Sequence, residues 1–342
     1  VRVGLDVQLA RGTATGIGEY ARGLLGALRA SGSDVVALEA AAFDPWRFDR
    51  RVLWDQVLLP LAARRARVDV VHCASGTMPL WCDRPIVVTV HDVAWHRAQA
   101  HARPYARAYF GAFALARYRA AARVLVDSAF SRDELLALAP LDPARVEVVY
   151  PGVAADVASV ARAPDRERPF ALAVGTVEVR KNLELAIRAL AGVPSLRLVS
   201  AGPPTPYLER CRALARELGL ESRVDFRGYV DRATLLELYA RATVALVPSR
   251  YEGFGYGAAQ ALVAGVPLIA ARTSSLPEVV GDGAPLLDPD DVPGWSAALA
   301  AVVAEPEMAD ARAVAGRSAA AARFGWAQAA RAAAAAYESA AR

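Results

Sequence analysis

The feature that most restricts this chain is an alternation that runs along its whole length. Short runs of Val, Leu and Ile, apolar at consecutive positions, take turns with longer segments in which apolar residues recur every three or four positions. VRVGLDV, VVALEA, VDVVHC, PIVVTVHD, RVLVDS and VEVVYPG stand in the first half, and FALAVGT, LRLVSAG, VDFRGYV, ATVALVPS, VPLIAA and APLLDP in the second. A strand apolar at every position is buried on both faces, and strands that alternate with helices pair in parallel. The pattern therefore predicts parallel sheets covered by helices on both sides. The helical period is explicit at Leu183, Ala186, Ile187 and Leu190, and again at Leu235, Leu238 and Tyr239. A chain of 342 residues exceeds what one core usually serves. The expectation is an α/β protein of two doubly wound, Rossmann-like domains, residues 1–160 and 170–325, with the charged, proline-flanked segment SVARAPDRERP at 159–169 as the linker. The Ala-rich end, 326–342, reads as a helix anchored by Trp326 and Tyr337 that returns to the N-terminal domain.

Composition removes several function classes. Hydrophobic residues make up 55% of the chain, yet no run of about 18 uncharged apolar residues occurs. Val1 enters a strand-like run directly, with no basic, apolar and cleavage-site succession ahead of it, so a soluble cytoplasmic protein is expected. Cys73, Cys82 and Cys211 are odd in number and scattered, without His partners at ligand spacing, which argues against a disulfide framework and against zinc. The formal charge is +4, with 20 Arg against 16 acidic residues over 1–162 and 20 basic against 20 acidic over the rest. So modest a charge, with no binding motif, speaks against a nucleic-acid partner. Among the 40 basic residues every one but Lys181 is arginine. An ammonium is a compact point charge and a guanidinium a planar fork, so a single lysine in such a chain draws attention to its site.

Two glycine-bearing loops could hold an anion. In TGIGEYARGLLGAL, after the first strand, Gly16, Gly18 and Ala21 fit the dinucleotide pattern G-x-G-x-x-G/A, and Glu39 follows about twenty residues on, as a ribose-binding acid would. Taken alone this suggests an NAD-linked oxidoreductase, although the loop QLARGTAT is longer than the tight turn of such a site. In AVGTVEVRKNLELAI a strand ends at Gly175, and Arg180 and Lys181 stand just ahead of the next helix. Two cations beside a helix N-terminus suit a diphosphate. A third stretch, RYEGFGYGAAQALVAGVPLIA, places Glu252 and Gln260 eight positions apart around a helix start.

Taken together these stretches resemble the retaining glycosyltransferases of the GT-B fold, specifically glycosyltransferase family four, also called glycosyl transferases group one. The resemblance runs from VRVGLDVQLARGTATGIGEY through VTVHDVAW and RVLVDSAFSRDEL to AVGTVEVRKNLELAIRAL, VDFRGYV, LVPSRYEGFGYGAAQALVAGVPLIA and SSLPEVVGDGAPLLDP. GTVEVRKN and HDVAW look most like a branch rich in mannosyltransferases. The resemblance implies two Rossmann-like domains facing across a cleft, acceptor side first and donor side second. It implies that Gly16 and Gly18 line the cleft from the first domain and that His91 approaches the donor sugar or the reaction centre. Arg180 and Lys181 would hold the diphosphate, Glu252 would contact the transferred sugar, the backbone of Gly253, Phe254 and Gly255 would donate to sugar and phosphate, and Gln260 would meet the ribose.

Two positions depart from the family pattern. Thr176 stands where many relatives have arginine, and Arg180 would supply the missing cation. Gln260 stands where E-x7-E expects glutamate; an amide still bonds a hydroxyl but lacks the charge, a loss of roughly 1–2 kcal/mol or about tenfold in donor affinity.

The reaction implied is transfer of a hexosyl group, mannose foremost, from a GDP-, UDP- or dTDP-linked donor to a glycan or lipid-linked hydroxyl in polysaccharide, lipopolysaccharide or glycolipid assembly. The leaving phosphate oxygen takes the acceptor's proton, so no protein nucleophile is compulsory. His91-Asp92 offers one carboxylate, not a magnesium cage, and neither metal nor further cofactor is expected. Arg180 and Lys181 would replace the metal. His72 reads as a core histidine, Ser249 as a cap, and Glu278 has no role assigned. Lys181→Ala should abolish nucleotide binding and leave the free protein's melting point nearly unchanged.

Between Asp92 and Asp127 there is no acidic residue, while Arg97, Arg103, Arg107, Arg117, Arg119 and Arg123 interleave with Trp95, Tyr105, Tyr109, Phe110, Phe113 and Tyr118. Residues 95–123 thus read either as a basic, aromatic helix for an anionic membrane surface at the inner face of the plasma membrane or as a solvated face. The alternatives to a glycosyltransferase are the NAD-linked oxidoreductase and a non-catalytic sugar-nucleotide binding protein.

Overall fold

The computed structural model describes residues 1–11, 16–40, 47–97 and 104–342. The chain separates into two compact units, Val1–Gly152 with Phe324–Arg342, and Val153–Arg323. Each is built on one six-stranded parallel sheet.

In the first unit the strands are β1 Val3–Asp6, β2 Val35–Leu38, β3 Val70–Cys73, β4 Ile86–Val90, β5 Arg123–Val126 and β6 Val146–Val148, in the order β2-β1-β3-β4-β5-β6. Consecutive residues feed opposite cores. Val71, Val88, Val124 and Val126 pack with Trp54, Leu59 and Tyr118 on one face, while Leu5, Val70, Val87 and Leu125 pack with Leu24, Leu28 and Tyr337 on the other. This is why each strand reads as an unbroken apolar run. The helix Trp326–Ala341 belongs to this unit and buries Ala329, Ala330, Ala333, Ala336, Tyr337 and Ala340, one stripe at helical spacing. Its start is fixed by close approach: a Cβ at Gly23 would lie 2.1 Å from Trp326 Cε2, and one at Gly152 would lie 2.3 Å from Trp326 Cγ.

The second unit has β7 Phe170–Val174, β8 Arg197–Ala201, β9 Val224–Gly228, β10 Val244–Val247, β11 Leu268–Ala271 and β12 Leu286–Leu287, in the order β12-β11-β10-β7-β8-β9. Counted within the unit this is 3-2-1-4-5-6, so the order reverses between β7 and β10, and ligands of open α/β sheets bind at the carboxyl ends of such a pair. In the first sheet the corresponding reversal lies between β1 and β3.

Two expectations need adjusting. The first crossing between units falls at Gly152/Val153, ahead of 159–169. That segment is no free linker: the Arg162 guanidinium is 7% exposed and bonds the carbonyls of Tyr239, Ala240 and Ala242 and the Asp310 carboxylate. A charge run looks solvated in sequence when its partners lie some 80 to 150 positions away.

The basic, aromatic stretch is also different in space. Residues 98–103, Arg103 among them, lie outside the described residues, and 104–120 is a succession of short pieces, Pro104–Arg107, a π-helical Ala108–Phe113, Ala114–Arg117 and Tyr118–Ala120. Its rings turn toward one another: Trp95 stacks on Phe110 and Tyr109 on Phe113. Arg97 is held by both oxygens of Glu134 at 2.5 and 2.6 Å, Arg117 bonds the Leu80 carbonyl at 3.1 Å, and Arg123 pairs with Glu147. Among the described residues no helix is long and apolar enough to cross a membrane.

Candidate functional site

The reversal between β7 and β10 opens a pocket lined by Gly175, Thr176, Lys181, Ser200, Pro248, Ser249, Glu252 and Gly257, among others. Local backbone chemistry builds it. Gly175 leaves β7 with φ of +134°, and a Cβ at Gly202 would lie 1.9 Å from the Gly175 carbonyl oxygen, so both positions require glycine. The Val179–Lys181 turn ends at Asn182 in the left-handed region, φ 54°, and the helix Leu183–Leu190 starts there. Asn182 is buried, and its amide donates to the carbonyls of Pro248 and Pro289 at 3.1 and 3.0 Å, which ties this turn to the loop after β10. Gly255, φ 93°, caps the helix Tyr256–Ala264, and a Cβ there would lie 2.7 Å from Leu276 Cδ2.

Glu252 is the centre of this pocket. Its side chain is 7% exposed and takes Lys181 Nζ at 2.6 Å and Ser249 Oγ at 2.7 Å on Oε1, and Arg180 Nη1 at 3.3 Å on Oε2. Arg180 also pairs with Glu178 at 2.8 Å. Burial works to raise the Glu252 pKa, but the charges of Lys181 and Arg180 with the bonds from Lys181 and Ser249 win, and the net direction is down. Glu252 is a carboxylate. Its backbone is braced from elsewhere: Glu252 N donates to Ser274 Oγ at 2.8 Å, and Ser275 Oγ donates to the Glu252 carbonyl at 2.9 Å. Thr273 Oγ1 donates to the Ser249 carbonyl at 2.7 Å, and Ser274 itself sits at φ 49°. The stretch ahead of LPEVVG thus shapes the glutamate's loop, a role not readable from its spacing.

Of the sequence-assigned residues of this unit, Arg180, Lys181 and Glu252 meet directly; Phe254 and Gln260 have contacts of their own. Phe254 is buried and edge-on to Tyr256, 5.6 Å between ring centres, at the helix mouth with Gly253 and Gly255. Gln260 is 4% exposed and its Oε1 accepts the Tyr239 hydroxyl at 3.0 Å.

In the first unit the assigned residues gather at the carboxyl ends of β1, β3, β4 and β5. Gly18 lets its helix rest on the preceding turn, since a Cβ there would lie 2.4 Å from the Leu9 carbonyl oxygen, whereas among the described residues nothing lies within 4 Å of a Cβ at Gly16. Residues 12–15 of that loop lie outside the described residues. Glu39, the acid a dinucleotide site would use, is ion-paired with Arg11 at 2.5 Å. His91 places Nδ1 2.6 Å from Asp127 Oδ2 and Nε2 2.9 Å from the Ala74 carbonyl. His72 is fully buried between the Tyr337 and Thr89 hydroxyls, both at 2.7 Å, and burial lowers its pKa to about 3. Sequence reasoning missed a buried cluster beside them: Arg51 bonds Asp55 at 2.9 Å and Thr77 at 2.9 Å and reaches Asp6 at 3.8 Å, and Trp54 Nε1 donates to Asp6 at 3.0 Å. Arg51 and Asp55 are four apart on one helical stretch, which was the available signal.

Two six-stranded parallel sheets of these orders, the second with a charged pocket at its reversal, define the GT-B class of α/β protein. The fold matches sucrose-phosphate synthase from Thermosynechococcus elongatus with a TM-score of 0.80 at 22% identity, covering 98% of each chain. It matches Anabaena HepE, crystallised with UDP-glucose, at 0.76 and 18%, covering 99% of each, and WaaG, a glycosyltransferase involved in lipopolysaccharide biosynthesis, at 0.73 and 18%, covering 97% of this chain and 98% of that one. The Glycosyltransferase Family 4 profile matches residues 14–157 and the Glycosyl transferases group 1 profile residues 158–319. The chain belongs to this glycosyltransferase family. D-inositol 3-phosphate glycosyltransferase of Mycolicibacterium paratuberculosis is 33% identical over 218 residues, and that of Mycolicibacterium smegmatis 33% over 220, each match covering 60% of this chain. The chain spans about half the length of these curated relatives, 49% and 50%.

Proposed function

We propose that this protein transfers a hexosyl group from a nucleoside diphosphate sugar to an acceptor hydroxyl, with retention at the anomeric carbon and without a metal ion. The observation that carries the reading is the meeting of Lys181, Arg180 and Glu252 at the β7/β10 reversal, next to a glycine-capped helix start. The diphosphate lies against Lys181 and Arg180, whose charges offset the negative charge that grows on the leaving phosphate. Glu252, held as a carboxylate, accepts hydrogen bonds from hydroxyls of the sugar. The phosphate oxygen that leaves takes the acceptor's proton, so the protein need supply no base. The UDP-glucose bound by HepE supports a sugar-nucleotide donor, and the names of the curated relatives support glycosyl transfer.

A thermal-shift series with GDP, UDP, dTDP and ADP and their sugars tests this. A ligand at 100 times its dissociation constant adds about 2.7 kcal/mol of stability. A shift with one nucleotide, lost in Lys181→Ala, is expected, and GDP with mannose is the first pair to try. Shifts with none of them, or with NAD instead, would overturn the reading. Transfer that persists in EDTA, with product of the donor's own anomeric configuration, is the expected chemistry. An anionic membrane would be reached through Tyr105, Arg107 and Arg119, which stay exposed; absence of sedimentation with phosphatidylglycerol vesicles at low salt removes that partner.

A further inference from the structure

The donor pocket makes no use of the His91 and Asp127 pair, whose geometry restricts where protons can sit. The Ala74 carbonyl only accepts, so His91 Nε2 carries a proton. The Asp127 carboxylate at Nδ1 accepts as well, so both ring nitrogens are protonated unless the carboxyl takes the proton for itself. Moving the proton there runs against the ordinary order of the two groups, near 6.5 for imidazole and 3.9 for carboxyl; burial narrows that gap by raising Asp127, while the His91 charge and hydrogen bond work to lower it. Asp127 Oδ1 is buried with no hydrogen-bond partner among the described residues, so the imidazolium is what compensates this carboxylate.

We propose that Asp127 is a positioning residue that keeps His91 a doubly protonated imidazolium, and that His91 supplies a fixed positive charge at the carboxyl edge of the first sheet instead of shuttling a proton. Both nitrogens are committed to protein acceptors, so neither can exchange a proton with a ligand without breaking a bond at 2.6 or 2.9 Å. The loop after β3, through Ala74, and the end of β5, through Asp127, are thereby pinned to the end of β4. The groups facing the ring agree with this charge. Asp92 follows in the chain, the Tyr20 ring stands edge-on at 4.9 Å, and His72 behind it on β3 is held neutral by burial. Burial works to lower the His91 pKa, but the Asp127 charge and hydrogen bond, the Ala74 carbonyl and Asp92 overcome it, and the net direction is up. Tyr20 is pushed the other way from ionisation by its burial and by Asp127, so it stays a neutral phenol. The purpose of the charge, to face negative charge on a ligand, rests on the glycosyltransferase reading; the charge state does not.

The chain has four histidines, few enough to titrate one by one by nuclear magnetic resonance on histidine-labelled full-length protein, with His91→Gln assigning the signal. The expected result is a His91 ring with both nitrogens protonated at pH 7 and a midpoint above 6.5, falling by a unit or more in Asp127→Asn and kept in Asp127→Glu. On the alkaline side the wild-type transfer rate should fall with the same midpoint, and in Asp127→Asn that limb should move to lower pH, in kcat more than in KM. A bare nitrogen at pH 7, a midpoint at or below 6.5, or a midpoint unmoved by Asp127→Asn would overturn the proposal. The wild-type titration decides alone if Asp127→Asn does not fold. A protein that transfers no sugar yet shows the raised midpoint would sink the functional reading and leave the imidazolium standing.

Discussion

Lys181 and Glu252 carry opposite charges whose meeting is structural and, on the proposed reading, functional as well. Removing the ammonium leaves a buried carboxylate with only Arg180 and Ser249 among the partners described above, and a lost charged hydrogen bond of this kind costs roughly 1–3 kcal/mol. Lys181→Ala is therefore expected to lower the melting point of the free protein as well as abolish the nucleotide shift, where sequence reasoning alone expected the melting point to hold. Lys181→Met separates the two, since its stem keeps the packing but not the charge; an unchanged nucleotide shift in either variant refutes the phosphate role. Because the Glu252 pKa is depressed, its contribution is present above the unfolded value near 4.3 and is lost as pH falls through the lower folded value. Wild type should thus lose stability below about pH 4.3 more steeply than Glu252→Gln, followed by circular dichroism. Gln260→Glu discriminates in a second way: about tenfold tighter nucleotide binding marks a ribose contact, whereas unchanged binding with a lower melting point marks a packing role beside Tyr239. Lys181 was legible as the single lysine and Glu252 from its place before the glycines. Their pairing across 71 positions, and the bracing by Ser274 and Ser275, were not, because nothing local encodes them.

At the level of elements, the alanine-rich C-terminal helix shows what composition hides. Alanine offers little apolar area per residue, yet a stripe of it allows a helix to lie close on the first sheet's helical layer, and two large residues do the locking. Trp326 fills the space left by Gly23 and Gly152, and Tyr337 starts a buried chain through His72, Thr89 and Tyr20 to the edge of His91. Tyr337→Phe removes one hydrogen bond and leaves His72 Nδ1 short of a partner, a cost of roughly 1–3 kcal/mol. The same variant should also move the His91 resonance, which a purely local defect would leave alone. The anchors Trp326 and Tyr337 were visible as the large residues among alanines. The stretch 95–123 was harder to read: an amphipathic helix and a cluster of self-packing rings share the same residue types. The acid that neutralises Arg97 lies 37 positions further on, at Glu134.

For the molecule as a whole, parallel pairing was implied by the alternation of elements, but the strand order, and with it the place where each order reverses, is a property of long-range pairing and had to be seen. The reversal decides which loops become a pocket, and in the second unit it selects those after β7 and β10, both within 153–323. The first unit is the one that depends on the returning C-terminal helix, whose six buried residues share one face of its sheet with the helix Gly16–Ala30. Ending the chain after Arg323 should therefore strip part of that face while leaving the donor pocket intact. In scanning calorimetry the truncated protein is expected to lose or lower one unfolding transition, and the nucleotide that stabilises full-length protein should still raise the other. A truncated chain that unfolds in one transition without response to nucleotide would mean that the pocket depends on the first unit, and the assignment of donor binding to residues 153–323 alone would fail. If the nucleotide response survives but sugar transfer is lost, the division of labour is the one the two sheets suggest, with the diphosphate held by Lys181 and Arg180 and the first unit needed for the chemistry.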